Sequence, residues 1–178
     1  LDFYGLQTLA CREMVEAAMP QVSGERVAQA GGPGPRCPAP QLVDGPLDVE
    51  GLRRSVTADT AGAVVVFVGA TRRKAGDVIT ERLEYEAHRP LAVACLRRLQ
   101  EEAVERFSLE GCGVVHRLGV VEVGEESVAV VAASQHRPAA FAATAWLMDG
   151  LKACVPIWKR EHAADGAASW VHGEERPG

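Results

Sequence analysis

Basic side chains in this sequence collect where an anion could be held. Arg72, Arg73 and Lys74 follow a valine-rich run. His136 and Arg137 stand immediately before a proline-led apolar segment, Lys152 lies near the end of that segment, and Lys159 and Arg160 follow Pro156. An imidazole and a guanidinium at a helix start, next to N–H groups with no intrahelical partner, make a site for phosphate or carboxylate. His136 has three readings: it caps the helix, it binds an anion with Arg137, or it acts as an acid or base. Lys152 falls four residues after Met148, on a stripe with Phe141 and Ala145, at the edge of an apolar surface. It can snorkel into water, answer the helix C-terminus, or be desolvated enough to offer a usable amine. His116-Arg117 resembles the His136 pair but sits inside a strand pattern, where a structural role is expected.

Other chemistries are poorly supported. Cysteines number five, with no CxxC spacing, so neither a disulfide scaffold nor a structural zinc site is expected. Cys95 and Cys154 read as core filler. The histidines show no HxH or HExxH arrangement, and Glu101-Glu102 and Glu125-Glu126 read as solvated charge. No GxGxxG or GxxxxGK[ST] is present, and neither a cofactor nor a metal is expected. With 19 Lys and Arg against 24 Asp and Glu, the formal charge of −5 argues against general nucleic-acid binding. No apolar run is long enough for a membrane span, and the opening LDFYGLQTLACREM does not read as a secretion signal. A cytoplasmic protein is expected.

The elements that would carry these residues can be read from apolar periodicity. A short helix is expected over Leu9 to Ala18. GGPGPRCPAP, Gly31 to Pro40, reads as a linker, which divides the chain into an extension over residues 1–40 and a domain over 41–178. AVVVFVGATR, Ala63 to Arg72, reads as a buried strand. Ala75-Gly76-Asp77 would turn it into a hairpin with Val78 to Ala87. Pro90 opens a helix from Leu91 to Phe107. Strands over Gly113 to Val123 and Ser127 to Ser134 follow, joined at Gly124-Glu125-Glu126. A second helix runs from about Pro138 to Ala153, ended by Pro156, with a short strand at Ile157 to Glu161 and an anchoring strand at Trp170-Val171. The expected fold is α+β, a mostly antiparallel sheet with two main helices.

Three segments in this order, GAVVVFVGATR at 62–72, SQHRPAAFAATAWLMDGLK at 134–152 and PIWKRE at 156–161, resemble the large, catalytic subunit of molybdopterin synthase. The resemblance runs from about Gln41 to Val171. It implies sulfuration of cyclic pyranopterin monophosphate to form the molybdopterin dithiolene. The sulfur would come from the C-terminal thiocarboxylate of a small ubiquitin-like partner whose Gly-Gly tail enters a pocket. It also implies a homodimer of large subunits within a heterotetramer. By position, Lys152 and Lys159 match the family's catalytic lysines. Arg72, His136 and Arg137 match its anion-holding residues, and Phe67 and Met148 match its apolar pocket members. A further arginine, usual after the last Trp-Val segment and contributed across the dimer, is replaced here by WVHGEERPG, with Arg176 two residues late. The first forty residues are also a departure, although LDFYGLQTLACRE and AAMPQVSGE faintly resemble the start and end of the small subunit. An internal Gly31-Gly32 or Ser23-Gly24 could not donate sulfur without cleavage, because a thiocarboxylate needs a free C-terminus. The competing readings are a non-catalytic protein of the same fold that recognises a ubiquitin-like tail or a phosphorylated metabolite, and a purely structural oligomer subunit.

Overall fold

The computed structural model describes residues 34–75 and 78–171. The expected helix at Leu9 to Ala18, the small-subunit-like segments, the Gly76-Asp77 turn and Arg176 lie outside the described residues.

The elements in chain order are β1 (Gln41–Val43), α1 (Val49–Val56), β2 (Ala63–Ala70), β3 (Lys74–Ala75), β4 (Val78–Ala87), α2 (Arg89–Phe107), β5 (Gly111–Arg117), β6 (Gly119–Glu122), β7 (Glu126–Ser134), α3 (Arg137–Cys154), β8 (Ile157–Ala163) and β9 (Ala168–Val171). They build two sheets. The first has the order β1-β5-β7-β2, with β1 parallel to β5 and the other pairs antiparallel. The second has the order β3-β4-β8-β9, with β6 also on β4.

β7 explains the layering. Its residues alternate between two cores because strand side chains alternate between faces. Val128, Val130 and Ala132 pack toward α2 and α3, whereas Ala129, Val131 and Ala133 pack toward α1 through Leu52 and Val56. A strand covered on both faces reads as a continuous apolar run. α2 begins with His88 accepting the Leu91 N–H on its side chain and Pro90 in the first turn, and it ends at Ser108 in the left-handed conformation. No helix among the described residues is long and apolar enough to cross a membrane.

Three expectations need correction. The described residues contain three helices, not two. The missed one, α1, is a single eight-residue amphipathic segment, VEGLRRSV, that buries only Leu52 and Val56. Its start signal is Asp48, which accepts the Gly51 N–H at 2.8 Å. The proposed hairpin of β2 with β4 does not form: β2 pairs with β7 and β4 with β8 and β6, in separate sheets. The single strand expected over Gly113 to Val123 breaks at Leu118, where Gly119 takes φ +77° and sends β6 into the second sheet.

Two stability predictions arise from this packing. A Cβ on Gly111 would lie 2.6 Å from both the Arg36 and Val56 carbonyl oxygens. Neither is a flexible side chain, so Gly111→Ala is expected to cost about 1–3 kcal/mol in urea unfolding. The second concerns His116, which is 4% exposed and edge-on to Tyr85 at a centroid distance of 5.0 Å. Burial pushes its imidazole down to about 4, partly offset by its hydrogen bond to the Arg117 carbonyl. The unfolded chain therefore binds this proton near 6.5 and the folded chain only near 4. Stability should fall as pH drops through that window, by roughly 3 kcal/mol, and this contribution should be flat below it. A His116→Gln variant should show a shallower acid limb in unfolding measured against pH.

Candidate active site

α3 carries most of the site. It leaves β7 after a two-residue junction and packs back over β7 and β2. Its N-terminus therefore lies near the start of β2, where Ala63 pairs with Ser134, and its C-terminus near the end of β2, where Gly69 pairs with Val128. The junction is tight. A Cβ on Gly62 would sit 2.4 Å from the Gln135 carbonyl oxygen, and the Ser134 hydroxyl donates to the His136 carbonyl at 2.6 Å.

At that first end, His136 occupies the cap position in extended conformation but makes no side-chain capping bond, so the capping reading is set aside. His136 and Arg137 are exposed, and no acidic residue lies in the first turn. The first-turn N–H groups and the helix dipole add to the Arg137 charge, which favours an anion.

Along the helix, the buried stripe is Ala140, Ala143, Thr144, Leu147 and Leu151. The stripe singled out in the sequence is the open one. Phe141 is 62% exposed, and Ala145 and Lys152 are exposed. Met148 alone of that stripe packs against the core while staying half-buried. Phe141 and Lys152 thus share an open helix face, with the ring in solvent rather than turned inward.

The second end gathers the remaining candidates. Arg72 follows β2 and is exposed. Its neighbour Thr71 is fixed by backbone bonds from its N–H to the Glu125 carbonyl at 2.9 Å and from the Gly124 N–H to its own carbonyl at 2.8 Å. Phe67, 39% exposed, pairs with Val130 and so faces the α3 side of the sheet. The position a Cβ on Gly69 would take is 3.5 Å from the Phe67 ring. Lys159, on β8, stands opposite Tyr85 of β4. The Tyr85 hydroxyl lies beside Ser127 at the start of β7, and the Ser127 hydroxyl donates to the Gly69 carbonyl at 3.2 Å. Burial pushes the Tyr85 phenol up, so it stays protonated and able to donate. The chain of contacts through Tyr85, Ser127 and Gly69 ties the Lys159 strand to the Phe67 strand. The sequence reading missed these three as site supports; a glycine two positions after Phe67 on the same strand face was the available signal.

The structure therefore brings Arg72, Lys152, Lys159, Phe67 and Met148 to one end of the layer and leaves His136 and Arg137 at the other. At about 1.5 Å of rise per residue, the backbones of His136 and Lys152 are roughly 24 Å apart along α3. Within one chain they cannot hold the same anion. Arg160, beside Lys159, lies 5.8 Å from the Trp170 ring centroid on the opposite face of the second sheet. No three His, Cys, Asp or Glu side chains gather at metal-binding distances among the described residues.

Comparison with known proteins gives this arrangement its context. Residues 42–154 match the family model described as MoaE protein. The chain is 45% identical over 115 residues to a molybdopterin synthase catalytic subunit of Brucella melitensis, covering 64% of this chain and 69% of that protein. It is 34% identical over 131 residues to the Bacillus subtilis protein of the same description, covering 74% and 83%. The crystal structure of molybdopterin synthase from Staphylococcus aureus superposes with a TM-score of 0.70 at 34% identity, covering 74% of this chain and 95% of that one. By family match, curated relatives and fold, the chain belongs to the MoaE family, as a molybdopterin synthase catalytic subunit of the sulfurtransferase class.

Proposed function

We propose that the chain takes sulfur from the C-terminal thiocarboxylate of a small ubiquitin-like partner and installs it on cyclic pyranopterin monophosphate, forming the dithiolene of molybdopterin. The observation that supports this reading most is strand and helix register, which puts Arg72, Lys152 and Lys159 toward the same end of the α3 layer as Phe67 and Met148. Both reactants are anionic, and three cations beside an apolar wall suit an acyl tail that must be held and a phosphate that must be stabilised. The open α3 stripe of Phe141, Ala145 and Met148 leads toward Lys152 and gives an extended Gly-Gly tail a path along the helix.

In this scheme Arg72 and Lys159 position charge. Lys152 stabilises the oxygen that gains negative charge as the cyclic phosphate opens. The thiocarboxylate sulfur bonds to the pterin side chain, water takes the acyl group, and the tail leaves as a carboxylate. Residues 41–178 form the catalytic domain. His136 and Arg137 act at the corresponding site of a second copy, because their distance from Lys152 within one chain excludes a shared ligand. Arg176 is the candidate for a further contact across that dimer.

Titration calorimetry with a small partner ending in Gly-Gly should show binding that weakens by at least about tenfold when the two glycines are removed, the worth of a well-buried tail carboxylate. Equal affinity without the tail would count against tail insertion.

A further inference from the structure

The segment entering β1 is laid along β5. Arg36 bridges Gly111 in parallel register, and its N–H donates to the Glu110 carbonyl at 2.9 Å. Gln100, 2% exposed on α2, clamps both strands: its Nε2 donates to the Pro38 carbonyl at 3.1 Å and to the Cys112 carbonyl at 3.0 Å. That register sets Cys37 directly beside Cys112. Neighbouring strands lie about 4.8 Å apart, inside the roughly 4.4–6.8 Å Cα separation that a disulfide accepts.

The two sulfurs are not equivalent. Cys37 is exposed, whereas Cys112 is fully buried and its thiol also points to the Gln100 carbonyl at 3.5 Å. The proximity of Cys112 brings Cys37 down to about 7, while the same proximity and burial push Cys112 up. An exposed nucleophilic thiolate thus sits against a buried thiol that can follow it.

We propose that Cys37 is a thiol-modification site with Cys112 as its resolving partner, converted by a low-molecular-weight disulfide of the glutathione class into an intramolecular bond that pins the entering segment to β5. The Cys37 thiolate attacks one sulfur of the reagent, forming a mixed disulfide and expelling one thiolate. Cys112 then attacks the Cys37 sulfur, its proton passing to the departing thiolate. Two protein thiols and one reagent disulfide become one protein disulfide and two reagent thiols. This inference does not depend on the sulfur-transfer reading. The pair sits at the His136 end: Glu110, whose carbonyl holds Arg36, also accepts from the Gln135 side chain at 3.0 Å.

The test is exchange of the reduced full chain with glutathione disulfide, followed by alkylation and peptide mass mapping. The expected product is a Cys37–Cys112 cross-linked peptide, reversed by dithiothreitol, with a higher thermal midpoint for the oxidised form. Cys112→Ser should stall with glutathione on Cys37, and Cys37→Ser should leave Cys112 unmodified in the folded protein but reactive in urea. A parent that stops at the Cys37 glutathione adduct, or that joins Cys37 to Cys11, overturns the proposal. The parent map decides the matter even if Cys112→Ser fails to fold.

Discussion

Lys152→Ala is expected to slow molybdopterin formation by about 10²–10³-fold, the range for removing one group that stabilises charge developing in a transition state. The expectation rests on position. Lys152 is exposed in the last turn of α3, one turn beyond the half-buried Met148, at the end of the layer that also receives Arg72 and Lys159. Because it is exposed and outside both core clusters, its loss should change unfolding free energy only by about 0.3–1 kcal/mol, the worth of a cation at a helix C-terminus. A folded, partner-binding but slow enzyme is therefore the predicted phenotype. Lys152→Arg keeps the charge without the small transferable amine, so partial rescue would assign Lys152 an electrostatic role, and no rescue a proton-transfer or covalent one.

The second large effect is complementation between two inactive variants. Lys152→Ala and the double variant His136→Ala/Arg137→Ala should each be nearly inactive as homodimers. Because the helix rise separates His136 from Lys152, the proposed scheme has each site draw the two groups from different copies. A mixed dimer then holds one site with both lesions and one with neither. Random mixing makes half of the dimers mixed, each with one working site of two, so activity should recover to about a quarter of the parent value in a symmetric dimer. Recovery requires mixing by unfolding and refolding or by co-expression. Failure of a mixed population, verified by mass, to recover activity would mean that His136 and Arg137 do not complete the Lys152 site of the other chain.

Much of this arrangement was legible from particular residues. Pro90 and Pro138 mark the starts of α2 and α3 because their missing N–H groups cost nothing in a first turn. Ser127 to Ser134 reads as a strand because a doubly covered strand is apolar throughout. The position of Lys152 relative to Met148 follows from helical period alone. What stayed hidden has physical causes. α1 buries only two side chains, too few for a periodic signal. The break at Gly119 depends on which sheet offers an edge, so a continuous valine-rich run could not reveal it. The true core stripe of α3 is made mostly of alanine, threonine and leucine, so the larger Phe141 and Met148 drew the eye to the open face instead. Pairings distant in sequence, such as Tyr85 with Ser127 and Cys37 with Cys112, leave no local pattern at all.

Sulfur transfer by this chain can be followed as single-turnover conversion of cyclic pyranopterin monophosphate. The parent protein would be supplied with a small partner carrying a C-terminal thiocarboxylate, and the dithiolene product and the spent carboxylate tail would be counted by mass. Molybdopterin is expected, with two tails converted to carboxylate for each product, one for each sulfur installed. A folded parent that binds the thiocarboxylated partner yet forms no dithiolene and leaves the thiocarboxylate intact would contradict that expectation, and would favour a protein that recognises the tail without acting on it.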